Sequence, residues 1–166
     1  DFSLVGDGVF RLGATVRSQV TSLLQVLVDS KGITKFAVVY PDTASGELFA
    51  REFRNSAADY GVPVQVEAVY EQNDPDAFAM IAQQLESENV QAIFFPDNLV
   101  RATRFYSNFT PLMRSKLKLV GPASWDNLNY LANSRTVLEG IVFVSPFFSR
   151  SSRPLVENFV AVYRNK

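Results

Sequence analysis

The sequence predicts an α/β domain, a three-layer αβα arrangement in which a five-stranded parallel sheet is covered by helices on both faces. Three observations lead there. Short apolar runs alternate with amphipathic stretches at helical spacing along most of the chain, the pattern of right-handed βαβ units. Two of the runs, Phe36-Ala37-Val38-Val39-Tyr40 and Ala92-Ile93-Phe94-Phe95, are apolar at every position, as strands buried on both faces are. The connections are short, and no Pro/Gly/Ser-rich linker divides the chain.

Taken in order, Val16, Val20, Leu23, Leu24, Leu27 and Val28 form a helical stripe that Gly32 ends. The first buried strand, Phe36 to Tyr40, leaves through the loop Pro41 to Gly46. Leu48, Phe49, Phe53, Ala57 and Tyr60 form the second stripe, closed by Gly61. Val62 to Tyr70 alternates, with Val64, Val66, Ala68 and Tyr70 on one face, which suits a strand near the sheet edge. Asn73-Asp74-Pro75-Asp76 is a turn and helix cap, followed by a helix carrying Phe78, Ile81, Ala82 and Leu85. The strand Ala92 to Phe95 ends at Pro96-Asp97-Asn98, and a helix runs from about Leu99 to Phe109. Leu117 to Val120 is a fourth strand with the exit loop Gly121-Pro122-Ala123-Ser124. A short helix over Trp125 to Leu131, a fifth strand over Ile141 to Val144 and a final helix over Leu155 to Tyr163 complete the series. Residues 14–166 thus read as a single α/β lobe. Residues 1–13 read as a crossover or linker arriving from elsewhere. The chain begins at Asp1-Phe2-Ser3 without a Met and stops inside a helical pattern, so it reads as a piece of a longer protein.

Composition narrows the function. With no Cys and no His, the chain has no disulfides, no thiolate chemistry, no Cys/His zinc site and no imidazole base. No Gly-rich phosphate loop follows the first strand, and no nucleophile sits beside a base. No catalytic residue, metal or cofactor is expected, and the chain does not read as an enzyme. The 16 basic and 17 acidic residues are interspersed, which argues against a nucleic-acid partner. Arg101, Arg104, Arg114, Lys116 and Lys118 read as a solvated face. No apolar run approaches the ~20 residues of a membrane-spanning helix.

In an open parallel sheet, ligands bind beyond the carboxyl ends of the strands, where strand order reverses. That rule selects the loops Pro41 to Gly46, Pro96 to Asn98, Gly121 to Trp125 and Ser145 to Ser149. The candidate ligand-binding residues are Asp42, Thr43, Ser45, Asp97, Asn98, Ser124 and Trp125. Each has a competing structural reading. Asp42, Thr43, Ser45, Asp97 and Asn98 suit helix capping equally well. Trp125 either stacks on a solute or plugs the core over the sheet end. Phe147 and Phe148 either line the mouth or pack.

The landmarks also resemble, in order, the leucine/isoleucine/valine-binding branch of the type 1 periplasmic binding proteins. Phe10-Arg11-Leu12 before a helix is similar to that family's approach to its second lobe. Phe36 to Tyr40 with Gly46, Gly61-Val62 with Glu71 and Asp74 to Phe78, and Gln91 to Phe95 follow. Gly121 with Trp125, Glu139-Gly140, and Phe159-Val160 with Tyr163-Arg164 continue the series. The resemblance covers almost the whole chain and implies a flavodoxin-like lobe with strand order 2-1-3-4-5. It implies a small polar, amino-acid-like solute held against a missing N-terminal lobe. It implies a periplasmic or extracytoplasmic location, with lipoprotein anchoring in the full-length protein, and a membrane transporter as partner. The same landmarks resemble the lipoprotein activators of penicillin-binding proteins, which implies the alternative of an interaction module regulating cell-wall synthesis. Two positions depart from the amino-acid binders. Ser45 stands where they carry a Tyr before the Gly, and the loop after Gly121 has no carboxylate until Asp126. Asp42 and Asp97 are candidates to hold a cation instead.

Overall fold

A computed structural model describes residues 13–71, 74, 76–146 and 151–164. The incoming segment up to residue 12, the turn residues Asn73 and Pro75, and Phe147 and Phe148 lie outside the described residues.

Among the described residues the order is α1 (Val16–Leu24), extended by a wider turn over Gln25–Ser30, then β1 (Phe36–Pro41), α2 (Ala44–Asp59) and β2 (Val66–Tyr70). There follow α3 (Ala77–Ser87), β3 (Ala92–Phe94), α4 (Leu99–Tyr106), α5 (Pro111–Lys116) and β4 (Lys118–Gly121). The chain ends with α6 (Leu128–Asn133), α7 (Arg135–Leu138), β5 (Val142–Phe143) and α8 (Pro154–Arg164). All strand pairs are parallel, in the order β2-β1-β3-β4-β5. This is the expected flavodoxin-like topology. In β1, Val38 stands opposite Glu67 on one side and Phe94 on the other. Strand order therefore reverses between β1 and β3, and a crevice opens there at the carboxyl edge.

The strands are apolar throughout because helices cover both faces. Ala37, Val39, Ile93, Phe95 and Leu119 pack with residues of α3, α4 and α7 in one core. Phe36, Val38, Phe94 and Val120 turn the other way and pack with α1 and α2. Edge strand β2 keeps the expected alternation, with Val66 and Tyr70 buried and Glu67 and Val69 exposed.

Differences from the sequence expectations have local causes. β2 begins at Val66, not Val62, because the Val62 N–H bonds back to the Ala57 carbonyl at 3.0 Å, closing α2 around Gly61 at φ 73°. Helix α5 was not expected. Thr110 caps it by accepting from the Met113 N–H at 3.2 Å, and Pro111 sits in its first turn. Instead of one helix from Trp125 to Leu131, a tight turn spans Ala123–Trp125. A separate helix starts after Asn127, whose side chain accepts from the Tyr130 N–H at 3.1 Å. Helix α8 forms where expected, but none of its residues is buried.

Candidate functional site

The helix starts define the rim. The loop after β1 turns sharply into α2, and a Cβ on Gly46 would overlap the Pro41 carbonyl oxygen, so only glycine lets the helix begin this close to the strand end. Thr43 caps α2, its Oγ1 accepting from the Gly46 N–H at 3.0 Å. Asn98 caps α4, its Oδ1 accepting from the Arg101 N–H at 2.9 Å. The capping readings of both residues are therefore realised. Asn98 Nδ2 also donates to Asp97 Oδ1 at 3.1 Å.

Between these loops and the exit of β4 lies an open cavity of about 540 Å³. Three strand-exit prolines, Pro41, Pro96 and Pro122, and the Phe49 ring supply apolar surface. Thr43, Ser45, Asp97, Asn98 and Ser124, with Gln19 of α1, supply the polar part. Five of the seven expected residues thus come together, at the predicted crevice. Asp42 is exposed and does not line the cavity, its N–H bonding to the Tyr70 carbonyl at 2.9 Å. Trp125 does not line it either.

Trp125 is fully buried, in the core on the α3/α4 face. Its indole N–H donates to the Asp97 carbonyl at 2.7 Å, joining the exits of β3 and β4. Its ring lies where a Cβ on Gly121 would be. The geometry is that of the core plug, and no solute reaches the indole in this arrangement.

Asp97 is the carboxylate at the cavity wall, and protein donors surround it. Tyr70 Oη donates to Oδ2 at 2.7 Å, Arg101 approaches Oδ2 at 3.3 Å, and the Asn98 N–H donates to Oδ1 at 2.6 Å. Burial, then the bond to Asp97 and its negative charge, push the Tyr70 phenol well above its ordinary range. Tyr70 therefore stays a donor at any physiological pH. The next carboxylate along, Asp126 in the β4 exit loop, accepts from the Ser145 hydroxyl at 2.7 Å. Among the described residues no group of three or more acidic side chains could hold a metal ion.

Sequence reasoning missed Gln19 and Phe49. Gln19 reaches from α1 to accept the Ala123 N–H at 3.0 Å, so it holds the β4 exit loop across 104 residues of sequence. Its partner is invisible in a linear reading. Phe49 was counted as a core position, yet its half-buried ring packs on Phe94 at 6.2 Å and also reaches the cavity. The prolines were legible, because each stands at the end of an apolar run.

A smaller groove of about 310 Å³ lies at the opposite end of the sheet, between α5 and α7. Arg114, Lys118 and Glu139 line it, a mixture of signs, and no expected site residue does. Arg101 turns to Asp97, while Arg114 donates to the Phe109 carbonyl at 2.7 Å. The two arginines serve separate places rather than one basic patch.

Comparison with known proteins agrees with this geometry. The sequence model of a family described as "periplasmic binding protein" matches residues 3–166. No curated protein sequence matches. Among solved structures, the leucine-binding protein LivK of Thermotoga maritima superposes with a TM-score of 0.77 at 16% identity, covering 93% of this chain and 44% of that one. A solute-binding protein of a Rhodopseudomonas palustris ABC transporter, in complex with 4-hydroxybenzoate, gives 0.72 at 18% identity, covering 91% and 41%. A fatty acid ABC transporter substrate-binding protein of Thermomonospora curvata gives 0.67 at 21%, covering 92% and 40%. At these identities the likeness establishes the fold. The chain spans less than half the length of each.

Proposed function

The chain belongs to the periplasmic binding protein family, and from that premise we propose that it is the second lobe of an extracytoplasmic solute-binding protein. The family is one of binding proteins rather than enzymes. The observation that carries the proposal is the open cavity at the β1/β3 crevice, where loops from three strands bring hydroxyls and apolar rings to one rim. Its size falls in the range of about 300–1,000 Å³ usual for small-molecule sites. In the whole protein an N-terminal lobe faces this rim, and hinge closure traps a small solute between the two. The solute stabilises the closed state through its higher affinity for it, and the closed form is what a membrane ABC transporter engages. The structural neighbours are named for leucine, 4-hydroxybenzoate and fatty acid, so amino-acid-like solutes are one class among several to be tried.

Solute screening by thermal shift on the full-length protein tests this. A solute at about 100 times its Kd stabilises by roughly 2.7 kcal/mol, which is read as a rise in Tm. A panel of amino acids, aromatic and aliphatic acids, amides and peptidoglycan fragments that produces no rise at all would refute the proposal.

A further inference from the structure

On the solute-binding reading above, we infer that this lobe selects an organic acid without an amino group, because its wall offers a free ammonium no unspent carboxylate. A partly desolvated ammonium is held by a carboxylate with lone pairs to spare. Asp97 has none to spare, because Tyr70 and Arg101 meet Oδ2 while the Asn98 backbone N–H and its Nδ2 meet Oδ1. Asp42 is outside the cavity, and Asp126 is engaged by Ser145. The Gln19 amide oxygen is taken by the Ala123 N–H, and its Nε2 donates to the Ala14 carbonyl at 3.2 Å.

What remains on the wall is hydroxyls, which can donate as well as accept, and no unspent carboxylate. Thr43 Oγ1 already accepts from Gly46, which leaves its own proton free to point outward. The Ser45 and Ser124 side chains are exposed at the cavity and form no hydrogen bond among the described residues. Arg101 holds a positive charge just behind Asp97. Beside these donors, Phe49 and the three prolines give a face for a ring or a branched chain. The complementary solute carries oxygen acceptors on an apolar ring or branched body, and a carboxylate matches the donors best.

The test compares scaffold-matched trios on the full-length protein by titration calorimetry: phenylalanine, hydrocinnamate and phenethylamine; leucine, isocaproate and isoamylamine. The acid of each trio that binds is expected to bind at least tenfold tighter than its amino acid or amine. Ser45→Ala is expected to weaken the acid roughly ten- to hundredfold, as loss of a hydrogen bond to a charged group does. Tyr70→Phe combined with Arg101→Gln releases acceptors on Asp97 and is expected to shrink the preference for the acid, an effect that a purely structural role for these residues would not produce. Amino acids or amines that bind as tightly as their matched acids overturn the inference and leave the solute-binding reading standing. No binding in these trios or in the wider thermal-shift panel overturns both.

Discussion

The tightest contact near the site is also its most direct test. Gly121 ends β4, and a methyl group placed on it would overlap three atoms of the Trp125 ring. The ring cannot move aside freely. It is fully buried, and its N–H is fixed to the Asp97 carbonyl at 2.7 Å. Gly121→Ala should therefore cost at the upper end of the ~1–3 kcal/mol seen for overpacked cores. Its backbone is outside the left-handed region, so the cost is steric. Trp125→Phe alone should cost about 1–3 kcal/mol or more, because the Asp97 carbonyl loses its donor and the ring site is underfilled. In Gly121→Ala/Trp125→Phe the smaller ring makes room for the methyl group, so the double variant should be more stable than the sum of the single losses predicts, by about 0.5–3 kcal/mol. Urea unfolding of the four proteins measures this, with thermal unfolding as a check at about 2–4 °C per kcal/mol. Strict additivity, or a Gly121→Ala loss below ~0.5 kcal/mol, would show that the indole does not occupy the space above Gly121.

Three further outcomes are expected. Gly46→Ala should destabilise by about 1–3 kcal/mol, because its Cβ meets the backbone oxygen of Pro41 rather than a yielding side chain; stability equal to the parent would show that α2 starts elsewhere. Glu67→Gln removes the surface pair with Arg54 at 2.7 Å and should change stability by no more than about 1 kcal/mol, since such pairs contribute little in water. Alkaline pH should unfold the protein through buried phenols. Burial raises Tyr106 to about 12 and Tyr70 further, from an ordinary value of 10.0. The folded form holds these protons more tightly, so their contribution is fully present below pH 10 and is lost as pH rises toward and beyond 12, by at most about 1.4 kcal/mol per unit for each tyrosine. Denaturant midpoints across that range should fall more gently in Tyr70→Phe, and an unchanged slope would count against the buried phenol.

The fold was legible because the apolar pattern is strong. Short continuous runs such as Phe36 to Tyr40 suit strands covered on both sides, and the alternation expected over Val62 to Tyr70 marked the edge strand, though its first four residues lie before β2. Strand ends were less legible, because backbone hydrogen bonds decide them: Val62 looks like a strand residue but gives its N–H to Ala57. The loops that form the rim followed from topology alone. What each side chain does there did not, because it depends on partners far away in sequence. Tyr70 and Asp97 are 27 residues apart and Gln19 and Ala123 are 104 apart, and no spacing rule connects them. Asp97 thus reads in sequence as a free carboxylate at a strand exit, a candidate for a cation, whereas in the fold its charge is already answered.

Treating each polar residue at the rim as either a cap or a ligand contact makes a false choice for hydroxyls. A threonine that accepts a hydrogen bond from a helix N–H keeps its own proton, so Thr43 can cap α2 and donate to a solute at once. Asn98 has no hydroxyl to share between the two duties: its oxygen accepts from the Arg101 N–H and one of its two amide hydrogens goes to Asp97. Substitution can therefore separate the two duties at position 43. Thr43→Asp keeps a strong capping acceptor but has no proton to give and adds a negative charge facing the cavity. Its unfolding free energy should stay within about 0.5 kcal/mol of the parent, as one good cap for another allows. Its affinity for an acidic solute should fall by roughly tenfold or more, since an acceptor replaces a donor to a charged group. Thr43→Ser should preserve both stability and affinity. Should Thr43→Asp bind the acid as tightly as the parent, the hydroxyl would be a cap and nothing else, and the donors left to the solute would be Ser45, Ser124 and the second amide hydrogen of Asn98.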